Sequence, residues 1–507
     1  MRTPFQVVSY SIICAGLLAW PAVSRAGTVA PVAAAPAGNV ALPAIFGDHM
    51  VLQRDTDAPI WGTADAGGSV VVTVAGRTAS ATANARGVWQ VDLRGLPAGG
   101  PYTLTVTGQK TIVLGDVLVG DVWLVAGQSN MAYDMAQDPI NAGVAKRTND
   151  PDLRIFRVFP GGAPTPQREF SWHPIWTAAT PQNVGDWPSI TSAVGFYFAE
   201  EIRSHEKIPI GIVEAASGST SGESWLAASA LESHPDLLAV ANAQLAIARA
   251  GDLPLDNYTA GAMSNGMIAP IAGYGITGGL WYQGESNDWP VGHAALYGAL
   301  LPLLAEDWRA RWGWTFPFYI VQLHGFEIAQ PHGSGVADGP GDANAPSQLA
   351  LVREGQLQAA NAIPNAYLAV ADDLGDPAGD VHPPDKSGVG HRLALIARAQ
   401  RYHESVNYAG PRFAGATVAG AAIVVRFTHA DGGLVAKGGA PQLFAIAGAD
   451  HRFVWASARI AGDTIVVSSP QVPDPVAVRY AWSDNPFRAN VYNGAGLPAS
   501  PFRTDRW

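Results

Sequence analysis

The sequence has almost no cysteine: Cys14 is the only one in 507 residues. It lies inside an N-terminal segment that we expect to be removed. The mature chain is therefore predicted to lack disulfides and thiol chemistry. Its stability must then come from burial of apolar side chains, and hydrophobic residues make up 48% of the sequence, which excludes wholesale disorder.

The sequence is also poor in charge, above all in positive charge. Charged residues make up 14% of the chain, and 31 Lys and Arg face 42 Asp and Glu, so the formal net charge is −11 at pH 7. Nucleic-acid binding needs basic surface that displaces counterions, so we expect no nucleic-acid partner. The acidic balance slightly favours a neutral polymer over a highly anionic one as a partner.

Sequence patterns that hold cofactors are missing too. The chain has no P-loop pattern and no His/Cys cluster with the spacing of metal ligands. We therefore expect neither a metal nor another cofactor.

Residues 1–26 are predicted to form a secretory signal peptide. Arg2 is the only early charge, residues 5–20 are mostly apolar, and small residues occupy the two positions that a signal peptidase reads in residues 24–26. An uncleaved anchor is the alternative, but the apolar run is shorter than the roughly 20 residues that span a membrane. We expect a secreted or periplasmic protein without membrane contact, with residues 27–41, rich in Ala, Pro and Val, as a linker.

Short alternating runs predict β structure at both ends of the mature chain. An N-terminal β domain is expected over residues 42–115, with strands at 69–74, 87–93 and 102–106. A C-terminal β domain is expected over residues 406–507, with strands at 422–427, 459–460, 464–467 and 476–482. The pattern leaves open whether these elements form one β-sandwich or two.

Residues 116–405 alternate apolar strand-like runs with helical patterns. Strands are expected at 117–125, 209–214, 276–282, 317–323 and 366–371, and helices at 194–204, 237–249, 294–311, 348–362 and 387–401. This alternation predicts an α/β domain with a parallel sheet between two layers of helices. Ligands of such sheets bind beyond the carboxyl ends of the strands.

Ser129 follows one of these strands in the stretch DVWLVAGQSNM, residues 121–131. Gly127 allows a sharp turn after the buried strand. A serine on such a turn is typical of the nucleophile of α/β hydrolases, although Met131 replaces the second glycine of their GxSxG pattern. The alternative is a serine that caps the next helix.

Several long motifs, in order, resemble one known family. They are IFGDHMVLQR at 45–54, GQSNM at 127–131, WYQGESN at 281–287, DVHPPDKSGVGHRLA at 380–394 and GLPASPFRTDRW at 496–507. They resemble the SGNH (GDSL-like) hydrolases, in particular the sialate O-acetylesterases and related carbohydrate acetylesterases. The resemblance implies a three-layer SGNH core flanked by β-sandwich elements and a serine esterase that removes O-acetyl groups from a carbohydrate.

The base expected to activate Ser129 is His382, which Asp380 precedes closely and which two prolines follow. In SGNH hydrolases the acid usually stands three residues before the histidine, where this chain has Gly379. The DVHP sequence resembles the D-x-H-P loops of the acetylesterase subgroup and implies Asp380 as the acid. Asp373 and Asp376 are the alternatives.

The resemblance also implies an oxyanion hole formed by the Ser129 amide, Gly218 and Gln283. Gly218 occupies the first glycine of the family's second block, whereas Ser219 replaces the second glycine. Asn287 is the alternative to Gln283 as side-chain donor. Expected substrate-binding residues, several of them adjacent to these motifs, are Gln128, Glu223, Trp225, Glu285 and Asn287.

Two other functions compete with the esterase. A non-catalytic carbohydrate-binding protein on an esterase fold would require loss of the serine, the histidine or the oxyanion donors, and none of these is missing. A glycosidase that uses Glu285 and an aspartate would need two carboxylates on either side of one bond and would leave the serine motif unexplained. The sequence names neither the sugar nor the oligomeric state.

Overall fold

The computed structural model describes residues 40–141, 143–185, 191–326 and 342–507. The predicted signal peptide and nearly all of the predicted linker lie outside these residues. No helix in the described ranges is long and apolar enough to cross a membrane.

Strands account for both ends of the described chain and for the centre of the fold. In chain order they are β1 (Val51–Gln53), β2 (Ala58–Thr63), β3 (Ser69–Val74), β4 (Arg77–Thr82), β5 (Val88–Leu93), β6 (Gly99–Thr107), β7 (Thr111–Gly127), β8 (Asp150–Arg157), β9 (Trp176–Ala179), β10 (Ile210–Ala216), β11 (Gly278–Tyr282), β12 (Phe318–Gln322), β13 (Ala366–Val370), β14 (Arg412–Ala419), β15 (Ala422–Thr428), β16 (Leu434–Ala436), β17 (Phe444–Ala447), β18 (Phe453–Trp455), β19 (Ser457–Ala461), β20 (Thr464–Ser468), β21 (Ala477–Tyr480), β22 (Val491–Asn493) and β23 (Phe502–Arg503).

The helices connect the strands of the middle region. They are α1 (Ser129–Ala132), α2 (Val144–Arg147), α3 (Pro181–Gly185), α4 (Ala193–Glu206), α5 (Ala228–Glu232), α6 (Pro235–Ala250), α7 (Tyr297–Trp312), α8 (Gln348–Ala362) and α9 (Lys386–Gln400). All five helices expected from the sequence are present, and α8 has the expected bounds.

The central sheet has the order β13-β12-β11-β7-β10-β8-β9. Neighbouring strands from β13 to β8 are parallel, and β9 pairs antiparallel with β8 at the edge. Strands β10, β11 and β12 are buried along their whole length, as expected where helices cover both faces of a parallel sheet. The structure is therefore a mixed α/β fold with a mostly parallel central sheet, as the alternation of elements predicted.

The register of the three middle strands brings their carboxyl ends to one place. Ala216 at the end of β10 and Tyr282 at the end of β11 both pair with Gly127 at the end of β7. The segments that follow these strands begin side by side, so Ser129, the loop after Ala216 and Gln283 start from neighbouring positions.

Strand β7 belongs to the N-terminal β region as well as to the central sheet. Its first part pairs with β6 and β1, and its last part pairs with β10 and β11. One hydrophobic core extends across both regions. The domain boundary expected between residues 115 and 116 lies inside this continuous strand.

The C-terminal region is built from antiparallel sheets. Two four-stranded sheets have the orders β14-β15-β20-β19 and β18-β17-β21-β23, and β16 pairs with β22. Their apolar side chains form clusters separate from the main core.

Candidate active site

A tight turn carries the chain from β7 to Ser129. Gly127 has a φ of 146°, which favours glycine, and a Cβ at this position would lie 2.1 Å from the Tyr282 carbonyl oxygen. The next amide, of Gln128, donates a hydrogen bond to that same oxygen at 3.0 Å. Ser129 then begins α1 and is partly exposed at the carboxyl edge of the sheet.

Gly218 lies directly against Ser129. A Cβ built on Gly218 would be 3.5 Å from the Ser129 Cβ. The Thr220 hydroxyl donates to the Ser217 carbonyl at 2.9 Å, and this carbonyl shares its peptide plane with the Gly218 N–H. Because the carbonyl and N–H of a trans peptide point in opposite directions, this bond fixes the direction of the Gly218 amide.

Trp225 and Gln283 bind Thr220, two residues after Gly218, and so hold the loop that contains this peptide. The Trp225 indole donates to the Thr220 hydroxyl oxygen at 2.9 Å, which leaves the hydroxyl proton for the Ser217 carbonyl. The Gln283 amide donates to the Thr220 carbonyl at 3.0 Å. Both side chains are fully buried, so they hold the loop of Gly218 from inside the protein.

The Gln283 amide nitrogen has three acceptors within hydrogen-bond distance. Besides the Thr220 carbonyl, these are the Gln128 Oε1 at 3.1 Å and the Asn287 Oδ1 at 2.7 Å. Its two protons are therefore already used by protein groups. A direct contact of Gln283 with an oxyanion stays a prediction, and so does the alternative contact of Asn287.

A buried ion pair lies behind the same loop. His293 Nε2 is 2.7 Å from Glu223 Oε1, and its Nδ1 is 2.8 Å from the Trp289 carbonyl oxygen. Because both oxygens only accept, both ring nitrogens donate and the imidazole is charged. Burial alone would lower the pKa of His293, but Glu223 raises it above its usual range. Asn287 donates to the other Glu223 oxygen at 3.0 Å.

His382 lies between β13 and α9. Its pKa is lowered by burial and by the Lys386 cation, while Asp380 acts in the opposite direction. The ring is therefore neutral near pH 7, the state that a general base requires. The Tyr133 ring lies beside it, with the two ring centres 6.5 Å apart.

Asp380 is exposed, and its Oδ1 accepts a hydrogen bond from the backbone N–H of His382 at 2.9 Å. The two alternative acids have other partners. Asp373 is bound by both terminal nitrogens of Arg392 at 2.5 and 2.8 Å. Asp376 Oδ1 accepts from the Ala378 amide at 2.9 Å. Of the three carboxylates, Asp380 is the one that contacts His382, and it does so at the backbone N–H.

Each residue expected to bind substrate is at most 6% exposed and contacts other protein groups; these residues are Gln128, Glu223, Trp225, Glu285 and Asn287. Gln128 Oε1, for example, accepts from the Ser286 amide at 3.1 Å. Their expected contact with substrate stays a prediction.

Sequence reasoning missed three polar residues at the site, Asn130, His324 and Lys386. Asn130 donates to Glu285 Oε1 at 2.5 Å and to the Val381 carbonyl at 2.9 Å. Two of the three could have been noticed, since Asn130 lies within GQSNM and Lys386 within DVHPPDKSG. His324 lies in none of the motifs quoted for the family.

Across the part of the chain that the structure describes, no three His, Cys, Asp or Glu side chains are grouped so that they could hold a metal ion.

Comparison with known proteins identifies the family of this chain. Residues 119–398 match the family model described as carbohydrate esterase, sialic acid-specific acetylesterase. Sialate O-acetylesterase from Homo sapiens is 29% identical over 501 residues, which cover 90% of each chain. The Rattus norvegicus protein of the same name is 27% identical over 521 residues, covering 90% of this chain and 92% of its own.

A solved structure is also similar along almost the whole length. The carbohydrate acetylesterase from Xanthomonas citri is 39% identical and covers 92% of this chain and 100% of its own, with a TM-score of 0.81. The family model spans more than half of the chain and includes both Ser129 and His382. The chain therefore belongs to the sialic acid-specific acetylesterase family of carbohydrate esterases and is a carboxylic ester hydrolase.

Proposed function

We propose that this protein removes O-acetyl groups from a carbohydrate with Ser129 as nucleophile on an SGNH-type core. The observation that carries the proposal is the turn after β7, which exposes Ser129 at the sheet edge with Gly218 directly against it. A nucleophile and an amide that can stabilise an oxyanion are thus neighbours, as acyl transfer requires.

In the proposed reaction the Ser129 Oγ attacks the acetyl carbonyl carbon and His382 takes the hydroxyl proton. The neutral ring favoured by burial suits this step. The Ser129 and Gly218 amides stabilise the oxyanion, with Gln283 behind them as a support for the loop. The protonated His382 then gives its proton to the sugar oxygen as it leaves. A water activated by the same imidazole releases acetate from the acetyl-enzyme.

Asp380 is proposed as the acid of the triad. Its charge raises the pKa of His382 against the effects of burial and Lys386, so it favours the imidazolium that forms during the reaction. Asp380→Asn is expected to lower kcat strongly, towards the ~10⁴-fold known for a triad acid. Asp373→Asn and Asp376→Asn should each cost far less; a larger loss in either would reassign the acid.

The proposed substrate is an acetylated carbohydrate outside the cytoplasm, either a neutral plant cell-wall glycan or a sialate. The acidic net charge favours the neutral glycan. Two arginines that could bind an anionic sugar have protein partners instead: Arg353 donates to backbone carbonyls, and Arg392 binds Asp373. The sialate O-acetylesterase relatives support the sialate.

Acetate release from a panel of acetylated glycans and an aryl acetate tests this proposal. Ser129→Ala and His382→Ala should each lose about 10⁴-fold or more in kcat. Ser204→Ala, an exposed serine on α4, should retain full activity as the matched control. More than a tenth of the activity in Ser129→Ala would refute the serine mechanism. Glycan binding without acetate release in the wild type would instead support the carbohydrate-binding alternative.

A further inference from the structure

The carbonyl of Val381, one residue before His382, is held by two side chains. Asn130 Nδ2 donates to it at 2.9 Å and His324 Nε2 donates to it at 3.0 Å. Asn130 and His324 are both fully buried. A backbone carbonyl with both lone-pair directions occupied by buried donors has little freedom to rotate.

The His324 ring is fixed by its second nitrogen. Since a carbonyl only accepts, Nε2 carries the proton and Nδ1 must accept from the Tyr282 hydroxyl, 2.6 Å away. Burial lowers the pKa of His324 well below its usual range, so the ring stays neutral in this tautomer. Tyr282 ends β11 in the centre of the parallel sheet, so the ring is anchored to a rigid element.

The Asn130 amide is fixed in the same way. Its Nδ2 donates to Glu285 Oε1 at 2.5 Å as well as to the Val381 carbonyl, and its Oδ1 accepts from Lys386 Nζ at 2.5 Å. A flip of the amide would place like groups against each other at all three contacts. Lys386 also lies over the Tyr133 ring, with Nζ 4.7 Å from the ring centre.

The held peptide is the one that leads directly into His382. Its carbonyl belongs to Val381, and its N–H belongs to His382 and donates to Asp380 Oδ1. Both ends of the peptide plane are therefore bound. Asn130 directly follows Ser129 in the chain, so its side-chain amide links the segment of the proposed nucleophile to the peptide of the proposed base.

We infer that Asn130 and His324 are positioning residues that orient the Val381–His382 peptide and thereby aim the imidazole at the Ser129 hydroxyl. The inference rests on the proposed roles of Ser129 and His382. Neither positioning residue needs to touch the substrate, so their removal should lower kcat and leave KM nearly unchanged. A displacement of catalytic groups of about 1 Å costs on the order of 10²-fold in rate.

The test compares Asn130→Ala, His324→Leu and His324→Gln with the wild-type chain. Acetate release gives kcat and KM, and labelling of the active serine by an organophosphonate gives a rate that needs His382 but no sugar binding. Asn130→Ala and His324→Leu should lower kcat and the labelling rate together by roughly 10²-fold, with KM within about threefold. His324→Gln should recover most of the loss, because its amide can donate to the Val381 carbonyl.

Asn493→Ala is the matched control. Asn493 is also buried, donates to the Ala409 and His429 carbonyls at 2.9 and 3.1 Å, and accepts from the Leu497 amide at 3.0 Å, but it lies in the C-terminal sheets. It should lower Tm without changing kcat per labelled site. The inference is overturned if Asn130→Ala and His324→Leu behave like Asn493→Ala, or if His324→Gln is no better than His324→Leu. Activity retained by Ser129→Ala would instead defeat the proposed function itself.

Discussion

Arg353 on α8 connects the central sheet to the C-terminal region, so we expect its replacement to be costly. Its guanidinium is fully buried and donates to four backbone carbonyls. Two follow β12, those of Leu323 and His324, both at 2.9 Å. Two lie in the C-terminal region, those of Ser483 at 2.7 Å and Asp484 at 2.6 Å.

The magnitude for Arg353→Met follows from these contacts. Four hydrogen bonds to a charged group, at about 1.5–3 kcal/mol each, are worth at least roughly 6 kcal/mol. Burial of the charge offsets part of this gain, since it lowers the pKa of Arg353 from 12.5 to about 10. We therefore expect a loss of about 3–5 kcal/mol, as for other broken buried charge contacts.

Urea unfolding followed by circular dichroism measures this loss, with Arg426→Met as the control. Arg426 is exposed in β15 and donates to the Thr417 hydroxyl at 3.0 Å, so its replacement should change the free energy of unfolding by no more than about 0.5 kcal/mol. A loss below about 1 kcal/mol for Arg353→Met would show that the four carbonyl contacts contribute little to stability.

Three further predictions concern two charged side chains and the absence of a metal requirement. The acid limb of the kcat/KM profile should report the pKa of His382, which burial and the Lys386 cation both lower. Lys386→Met removes the cation and should therefore raise this apparent pKa; an unchanged or lower value would contradict this. His293→Gln should destabilise the fold most between about pH 4.5 and 6.5, where the ion pair with Glu223 is fully formed; the ordinary pKa values of glutamate and histidine side chains set these limits. Because the pKa of His293 is raised in the folded protein, this stabilisation is lost as the pH rises through the folded-state pKa. Urea unfolding at several pH values measures it, and a difference between wild type and His293→Gln that grows at high pH would contradict the ion pair. Full acetate release should survive EDTA, and a loss reversed by Ca²⁺ or Zn²⁺ would overturn the expectation of no metal.

The sequence predicted elements whose signals are local. Helix α8 and strand β3 have the expected bounds because their apolar spacing and flanking residues mark them. Strands β8 and β9 were not predicted; β8 begins Asp150-Pro151 and contains two arginines, and β9 has four residues. Pairing of β8 with β10, and of β9 with β8, stabilises these two strands although their own composition does not favour them.

The sequence indicated candidate site residues but not the contacts that surround them. Glycine followed by serine after a buried strand indicated Ser129, and a motif with an aspartate close to a histidine indicated His382. The contacts that hold them could not be read from the sequence, because Asn130 and Val381 are 251 positions apart and meet only through the sheet register. Burial of Gln283 and Trp225 behind the loop of Gly218 likewise follows from tertiary packing.

The central claim is that Ser129 carries the acyl group, and peptide mapping after organophosphonate treatment tests it most directly. We expect that acetate release falls in proportion to the label incorporated, that one label binds per chain, and that it lies on the peptide containing Ser129. Ser129→Ala should take up no label and release no acetate. A stoichiometric label on another residue, or acetate release by Ser129→Ala at a tenth or more of the wild-type rate, would contradict the role of Ser129 as nucleophile.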